Sequence, residues 1–226
     1  PDIPENIFVP YVFSPEQVDQ LLTAVQKRLR KTKRSYLQDL ALYVAMVLIA
    51  RCGLRISEPL RLKCHHYRKQ EGTIYIEKTK FKKDRLIPVP RSALREINNY
   101  LSVRKRLLDH DTNPYLLIGE RGKSFSKCKI YRFFHPAIQD IGLEQPRQTL
   151  GNVTFSPPLV HSLRHAFAIN TLKAIKERGE DVQHALPILA AYLGHREYRH
   201  TGAYLKALDA EQRQGLIEFA KSKRIT

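Results

Sequence analysis

From Leu40 to Ala50 the chain runs Leu-Ala-Leu-Tyr-Val-Ala-Met-Val-Leu-Ile-Ala without a charge. This run is too short to cross a bilayer, which takes about 20 apolar residues, and it contains Tyr43. Its surroundings, roughly Tyr36 to Arg51, read as a helix that is apolar on most sides, and such a helix has to lie at the centre of a core. Gly53 stands just past its end, where glycine caps a helix without strain. The rest of the chain has to pack around this helix.

On its N-terminal side, Ser14-Pro15-Glu16-Gln17 has a capping serine, a proline at the first helical position and a glutamine at the third. Leu21, Leu22, Val25 and Leu29 continue at helical spacing. The basic run Lys27 to Arg34 closes this helix, either as a solvated face or as a track for phosphates. Residues 1–13 hold Pro1, Pro4 and Pro10 and no period, so an extended arm or linker is expected there. Beyond the apolar helix the pattern changes. Thr73-Ile74-Tyr75-Ile76 and Arg85-Leu86-Ile87-Pro88-Val89 are strand-like, Gln70-Glu71-Gly72 is a turn, and Pro88 places its strand at an edge or near its end. From Ser92 the helical period returns, at about 92–108, 126–141, 162–177, 182–193 and 209–222. The stretch from Pro146 to Pro158 shows no period and reads as a loop. The expected fold is mainly α with a small antiparallel β-sheet (α+β). Its expected organisation is an arm at 1–13, one catalytic domain at 14–208 and a C-terminal helix at 209–226.

Charge narrows the function. Lysine and arginine number 39 against 22 acids in 226 residues, giving a formal net charge of +17. Such an excess favours a polyanionic partner, most commonly nucleic acid, over a basic protein without a specific partner. Cys52, Cys64 and Cys128 are an odd number without CxxC spacing, so neither a disulfide framework nor a zinc site is indicated, although Cys64-His65-His66 superficially resembles one. Without a signal peptide or membrane span, the protein reads as cytosolic.

Three short segments carry the chemistry: Gly53-Leu54-Arg55, His161-Ser162-Leu163-Arg164, and Leu193-Gly194-His195 with Tyr204 nine residues further on. Guanidinium forks match phosphate oxygens, histidine gives or takes a proton, and a tyrosine hydroxyl can attack phosphorus. Together they imply metal-free cutting of a nucleic-acid backbone through a covalent phosphotyrosine. Each residue also has an ordinary reading. The arginines could be structural ion pairs, Arg55 with Glu58 for instance, and the histidines could be capping or core residues.

With Gly53-Leu54-Arg55-Ile56-Ser57-Glu58, Thr79-Lys80, Lys83-Asp84-Arg85-Leu86-Ile87-Pro88, His161-Ser162-Leu163-Arg164-His165 and Leu193-Gly194-His195 to Tyr204 in this order, the chain resembles the catalytic domain of the tyrosine recombinase (phage integrase) family. The resemblance implies that family's catalytic-domain fold and a site-specific recombinase or integrase. Tyr204 would be the nucleophile forming a 3′-phosphotyrosyl link, and Arg55 and Arg164 would clamp the phosphate. His161 and His195 would assist proton transfer, and Lys80 would protonate the leaving 5′ oxygen. Lys78, Lys82 and Lys83 compete for that last role, and the register against the following strand favours Lys80. His165 would support packing and hydrogen bonding beside Arg164; Tyr192, Tyr198 and His200 have no motif support. The implied partners are double-stranded DNA and further copies of the chain, as a tetramer on paired sites with the C-terminal helix docking on a neighbour or on its own domain. No cofactor, metal or membrane is implied, and the expected location is the bacterial cytosol or nucleoid. The helical DNA-clamping domain that precedes this one in the family is not in the sequence, which opens with proline rather than methionine, as in an excised fragment. The longer segment Lys173 to Leu189 resembles transposon- or plasmid-borne recombinases. Two alternatives use the same residues differently: a type IB topoisomerase, and a DNA-binding module that has kept the fold without catalysis.

Overall fold

The computed structural model describes residues 7–77, 84–108, 110–119, 123–195, 201, 202 and 204. The chain divides into two units, Pro1–Phe167 and Ala168–Thr226.

In the first unit, α1 (Pro15–Lys27) starts at a reciprocal cap. The Gln17 N–H donates to the Ser14 hydroxyl at 3.2 Å, and the Ser14 N–H donates to the Gln17 side-chain oxygen at 3.0 Å. Its Val18, Leu21, Leu22 and Val25 are buried, as their spacing requires. Helix α2 (Lys33–Cys52) is the core helix, with every residue from Leu40 to Ala50 buried, and α1, α4 (Arg91–Leu107) and α5 (Lys127–Asp140) pack on it. Each fully buried leucine or isoleucine of this stretch contributes about 1.5–3 kcal/mol. Counted from Ser35 to Cys52, α2 is long and apolar enough to cross a membrane, but 78% of that window is buried inside the protein, as befits a core helix. The α1–α2 connection is tied down by the fully buried Asp39. It accepts the Arg30 backbone N–H at 3.0 Å and the Arg30 guanidinium at 2.8 and 2.6 Å. One cation of the basic run is therefore structural.

After α2 come the short α3 (Ser57–Arg61) and an antiparallel sheet of β2 (Tyr67–Arg68), β3 (Thr73–Ile76) and β4 (Arg85–Pro88), in that order. Its register pairs Ile74 with Ile87 and Ile76 with Arg85. Burial alternates along β3, which puts Ile74 and Ile76 inside, and Pro88 ends the edge strand β4. Two expectations are corrected. Residues 146–158 are not simply a loop, because β5 (Gln148–Leu150) and β6 (Val153–Phe155) form a hairpin there. Nor is the start of the chain only an arm, because β1 (Ile7–Val9) pairs in parallel with β6. Three-residue strands are too short to display a period, and the partner of β1 lies far away in the sequence.

Helix α6 (Val160–Glu177) contains the boundary between the units. In the second unit, α7 (Val182–Leu193) starts at Asp181, whose carboxylate accepts the Gln183 N–H at 2.8 Å, and ends at Gly194. The segment 209–226, read as a final helix, lies outside the described residues.

Candidate active site

Arg55 sits in the turn between two helices. Gly53 ends α2 in the left-handed conformation, φ 59°, and from there the chain turns into α3. The turn is pinned twice: the Glu58 N–H donates to the Arg55 carbonyl at 2.8 Å, and the Arg55 N–H donates to a Glu58 carboxylate oxygen at the same distance. The Arg55 guanidinium also meets that carboxylate, Nη1 to Oε1 at 3.1 Å. Arg164 comes from α6, where Ser162 accepts the Leu159 N–H at 3.2 Å in the first turn. Arg164 is 1% exposed, and its Nη1 donates to the Gly53 carbonyl at 2.6 Å. Two arginines far apart in sequence therefore meet at one turn, Arg164 on the carbonyl two residues before Arg55.

Their positive field reaches the neighbouring histidines. His161 and His165 face each other one helical turn apart, ring centroids 4.5 Å. Part of the His161 surface is open, yet the groups packed around its ring lower its pKa, and the charges of Arg164 and Arg55 lower it further. Burial, then His161 and Arg164, push His165 down to about 4. Neutral imidazoles result, able to accept a proton but reluctant to hold one. Burial pushes the Glu58 carboxyl up, but the fork and charge of Arg85, the Arg55 N–H and the Arg164 charge outweigh it, so the group stays below its ordinary pKa.

Sequence reasoning did not find Arg85. It is the first residue of β4, its side chain is 9% exposed, and it grips both Glu58 oxygens at 3.0 and 2.8 Å. Arg85 was visible within the Lys83-to-Pro88 motif, but its partner is set by the strand register. Lys80 falls within 78–83, outside the described residues.

In the second unit, His195 follows a helix end that leaves its backbone little freedom. Gly194 is left-handed at φ 67°, its N–H bonds the Ala191 carbonyl at 3.1 Å, and the His195 N–H bonds the Ala190 carbonyl at 3.0 Å. This is the Schellman arrangement, which satisfies the last carbonyls of α7. The ring is held at Nδ1, 2.8 Å from the hydroxyl of the buried Thr201. Thr201 is a second residue that sequence reasoning missed. Tyr204 is buried, with its ring 6.0 Å from that of His195 at an interplanar angle of 33°.

A family model described as the phage integrase family matches residues 12–211. The chain belongs to the phage integrase family. Among its relatives are the y4rB protein of Sinorhizobium fredii, 32% identical over 87% of this chain and 61% of that one, and the tyrosine recombinase XerA of Pyrococcus furiosus, 29% identical over 96% and 66%. The type 1 fimbriae regulatory protein FimE of Escherichia coli is 31% identical over 78% of this chain and 79% of its own. The chain thus spans 61% and 66% of the length of the first two relatives. Among solved structures, XerA recombinase superposes with a TM-score of 0.65 at 22% identity, covering 92% of this chain and 66% of that one. XerH site-specific recombinase, bound to its palindromic difH substrate after cleavage, gives 0.68 at 20%, covering 92% and 52%. The fold is that of the family's catalytic domain, mainly helical with small sheets, as expected.

Proposed function

We propose that this chain is the catalytic domain of a site-specific DNA recombinase that cuts and rejoins strands through a covalent bond to Tyr204. The Tyr204 oxygen attacks a backbone phosphorus, the bond from phosphorus to the 5′ oxygen breaks, and a 3′-phosphotyrosyl ester forms. Arg55 and Arg164 neutralise the phosphoryl oxygens, where preorganised donors contribute most. His161 and His195 move the nucleophile's proton and donate to the phosphate, and Lys80 protonates the leaving 5′ oxygen. A 5′ hydroxyl from a partner strand reverses the step, so the ester conserves the bond energy and this chemistry requires neither ATP nor metal. The observation that carries the reading is Arg164 seated on the carbonyl two residues before Arg55, which gathers two forks at one turn with His161 in their field.

The proposed partner is duplex DNA, in keeping with the Tn1549 transposon integrase, solved in complex with a circular intermediate DNA, and the proposed working form is a tetramer on paired sites with residues 209–226 docking on a neighbour. The proposed location is the bacterial cytosol or nucleoid, on a mobile element. The test is a pool of random-sequence duplexes carrying nicks, incubated with the protein and analysed for protein–DNA adducts that survive denaturation. Wild type forms adducts, and Tyr204→Phe forms none while still retarding DNA. Adducts with the phenylalanine variant would overturn the nucleophile assignment. Relaxation of supercoils without strand exchange at the captured sites would favour a topoisomerase, and retardation without adducts a binding module.

A further inference from the structure

Glu58 is a nearly buried carboxylate shared by two arginines that hold it differently. Arg85 takes both oxygens through its two terminal nitrogens, whereas the Arg55 guanidinium reaches Oε1 with Nη1. Side-chain exposure follows the same division: 9% for Arg85, 8% for Glu58 and 23% for Arg55. The more open arginine is the one assigned to the phosphate.

A carboxylate beside a phosphate-binding guanidinium is a competitor, because it presents the same charge and the same fork geometry. In a site screened from water that competition is strong. Glu58 nevertheless aims Arg55, through both the backbone N–H and the side chain. Something else must absorb its charge, and Arg85 is in place to do so. We propose that Arg85 is a positioning residue for phosphate binding: it engages Glu58 bidentately, so that Glu58 orients Arg55 without neutralising it. This rests on the recombinase reading given above. It also gives β4 a task at the far end of the lysine-bearing segment, since the strand that leaves that segment begins with Arg85.

The test uses the full chain with Arg85→Met, Glu58→Gln and the double substitution, two readouts, and thermal melting to verify folding. Glutamine keeps an acceptor for the Arg55 N–H, and methionine keeps most of the arginine's bulk. The first readout is adduct yield on the random-sequence nicked duplexes. The second is titration with sodium sulfate, followed at the Arg55 Nε–H resonance, which reads anion binding without catalysis. Arg85→Met should lower adduct yield about 100-fold and weaken sulfate binding at Arg55, because Glu58 then neutralises its neighbour. The double variant should return to within about tenfold of wild type in both readouts, since the competing charge is gone as well. A merely structural ion pair predicts no such recovery.

Acid gives a further signature. Stripped of Arg85 but still buried, Glu58 takes a proton more readily, so the ratio of Arg85→Met to wild-type activity should rise as pH falls. Among the described residues, the charged groups that act on Glu58 are Arg85, Arg55 and Arg164. His161, in the field of Arg55 and Arg164, titrates in both proteins and cancels in the ratio to first order. A double variant that folds yet is as impaired as Arg85→Met overturns the proposal. Should Arg85→Met fail to fold, the double variant decides alone, and loss of sulfate binding at its Arg55 overturns the proposal. If wild type forms no adducts, the covalent reading fails, while the sulfate titration still decides the role of Arg85.

Discussion

Arg164 is the bulkiest of the fully buried side chains among the described residues, and a guanidinium is costly to bury without partners. The carbonyl of Gly53 offsets part of that cost and fixes the side chain's direction. His165, one residue along, lies under the same positive charge, and its pKa of about 4 against an ordinary 6.5 makes it a stability group. Between these two values the unfolded chain binds more protons than the folded one. The stabilisation is therefore fully present above about pH 6.5 and is lost as pH falls toward 4. The expected loss attributable to His165 is on the order of 3 kcal/mol. His66 and His161, also lowered, add in the same direction. Chemical denaturation at several pH values checks this: wild type should weaken steadily over the window, and His165→Gln should weaken less. Equal slopes for the two proteins would remove His165 from the account. At this scale the sequence was informative because reactive side chains declare themselves by type and spacing. Arg55, His161, Arg164, His195 and Tyr204 could be named as candidates that way. The Arg85–Glu58 grip and the Thr201 contact with His195 could not, because each depends on how the backbone folds back on itself.

Helix α2 shows what a single element can reveal in advance. An uncharged run of this length reads as a core helix and the glycine beyond it marks the stop, so the body and C-terminal end of α2 were legible. Its start at Lys33 was not, because it lies inside the basic run read as closing α1, which ends at Lys27. The same glycine couples the element to the site, because its left-handed backbone turns the chain toward Arg55 and presents the carbonyl that Arg164 uses. An added Cβ in that conformation costs about 1–2 kcal/mol. Gly53→Ala should therefore lower stability by about that amount and reduce adduct formation more than stability alone explains, since both arginines lose their reference point. Comparing adduct yield with melting temperature checks it, and unchanged adduct yield would detach the cap from the chemistry. The strands β1, β5 and β6 are the opposite case. Their three-residue lengths carry no alternation, and the partner that makes β1 a strand is supplied only when the chain closes on itself.

Over the whole molecule the dominant fact is the net charge of +17, which no local motif explains. Some of these cations are occupied within the fold. Arg28 pairs with Asp140, Arg30 with Asp39, and Arg104 with Asp111, where it also binds the carbonyls of Asn113, Tyr115 and Leu116. Such arginines stabilise the chain's own acids and loops and have little left for a partner. The surplus as a whole still exceeds what the acids can balance, and a duplex surrounded by condensed counterions, the partner proposed above, would reward it. Each phosphate neutralised releases about 0.9 of a counterion, so affinity should fall linearly on a double-logarithmic plot against salt. For a domain gripping several phosphates the slope should be several units, and measuring binding by fluorescence anisotropy between 50 and 200 mM salt, about the range over which such contacts lose most affinity, reads it directly. Replacing a cation already paired inside the fold, as in Arg30→Gln, should leave the slope unchanged. Replacing Arg55 should lower it by about one contact, 0.9. A flat response in wild type would mean that the surplus charge serves something other than a polyanion. A slope that fell equally for Arg30 and Arg55 would mean that position in the fold does not decide which cations reach the DNA.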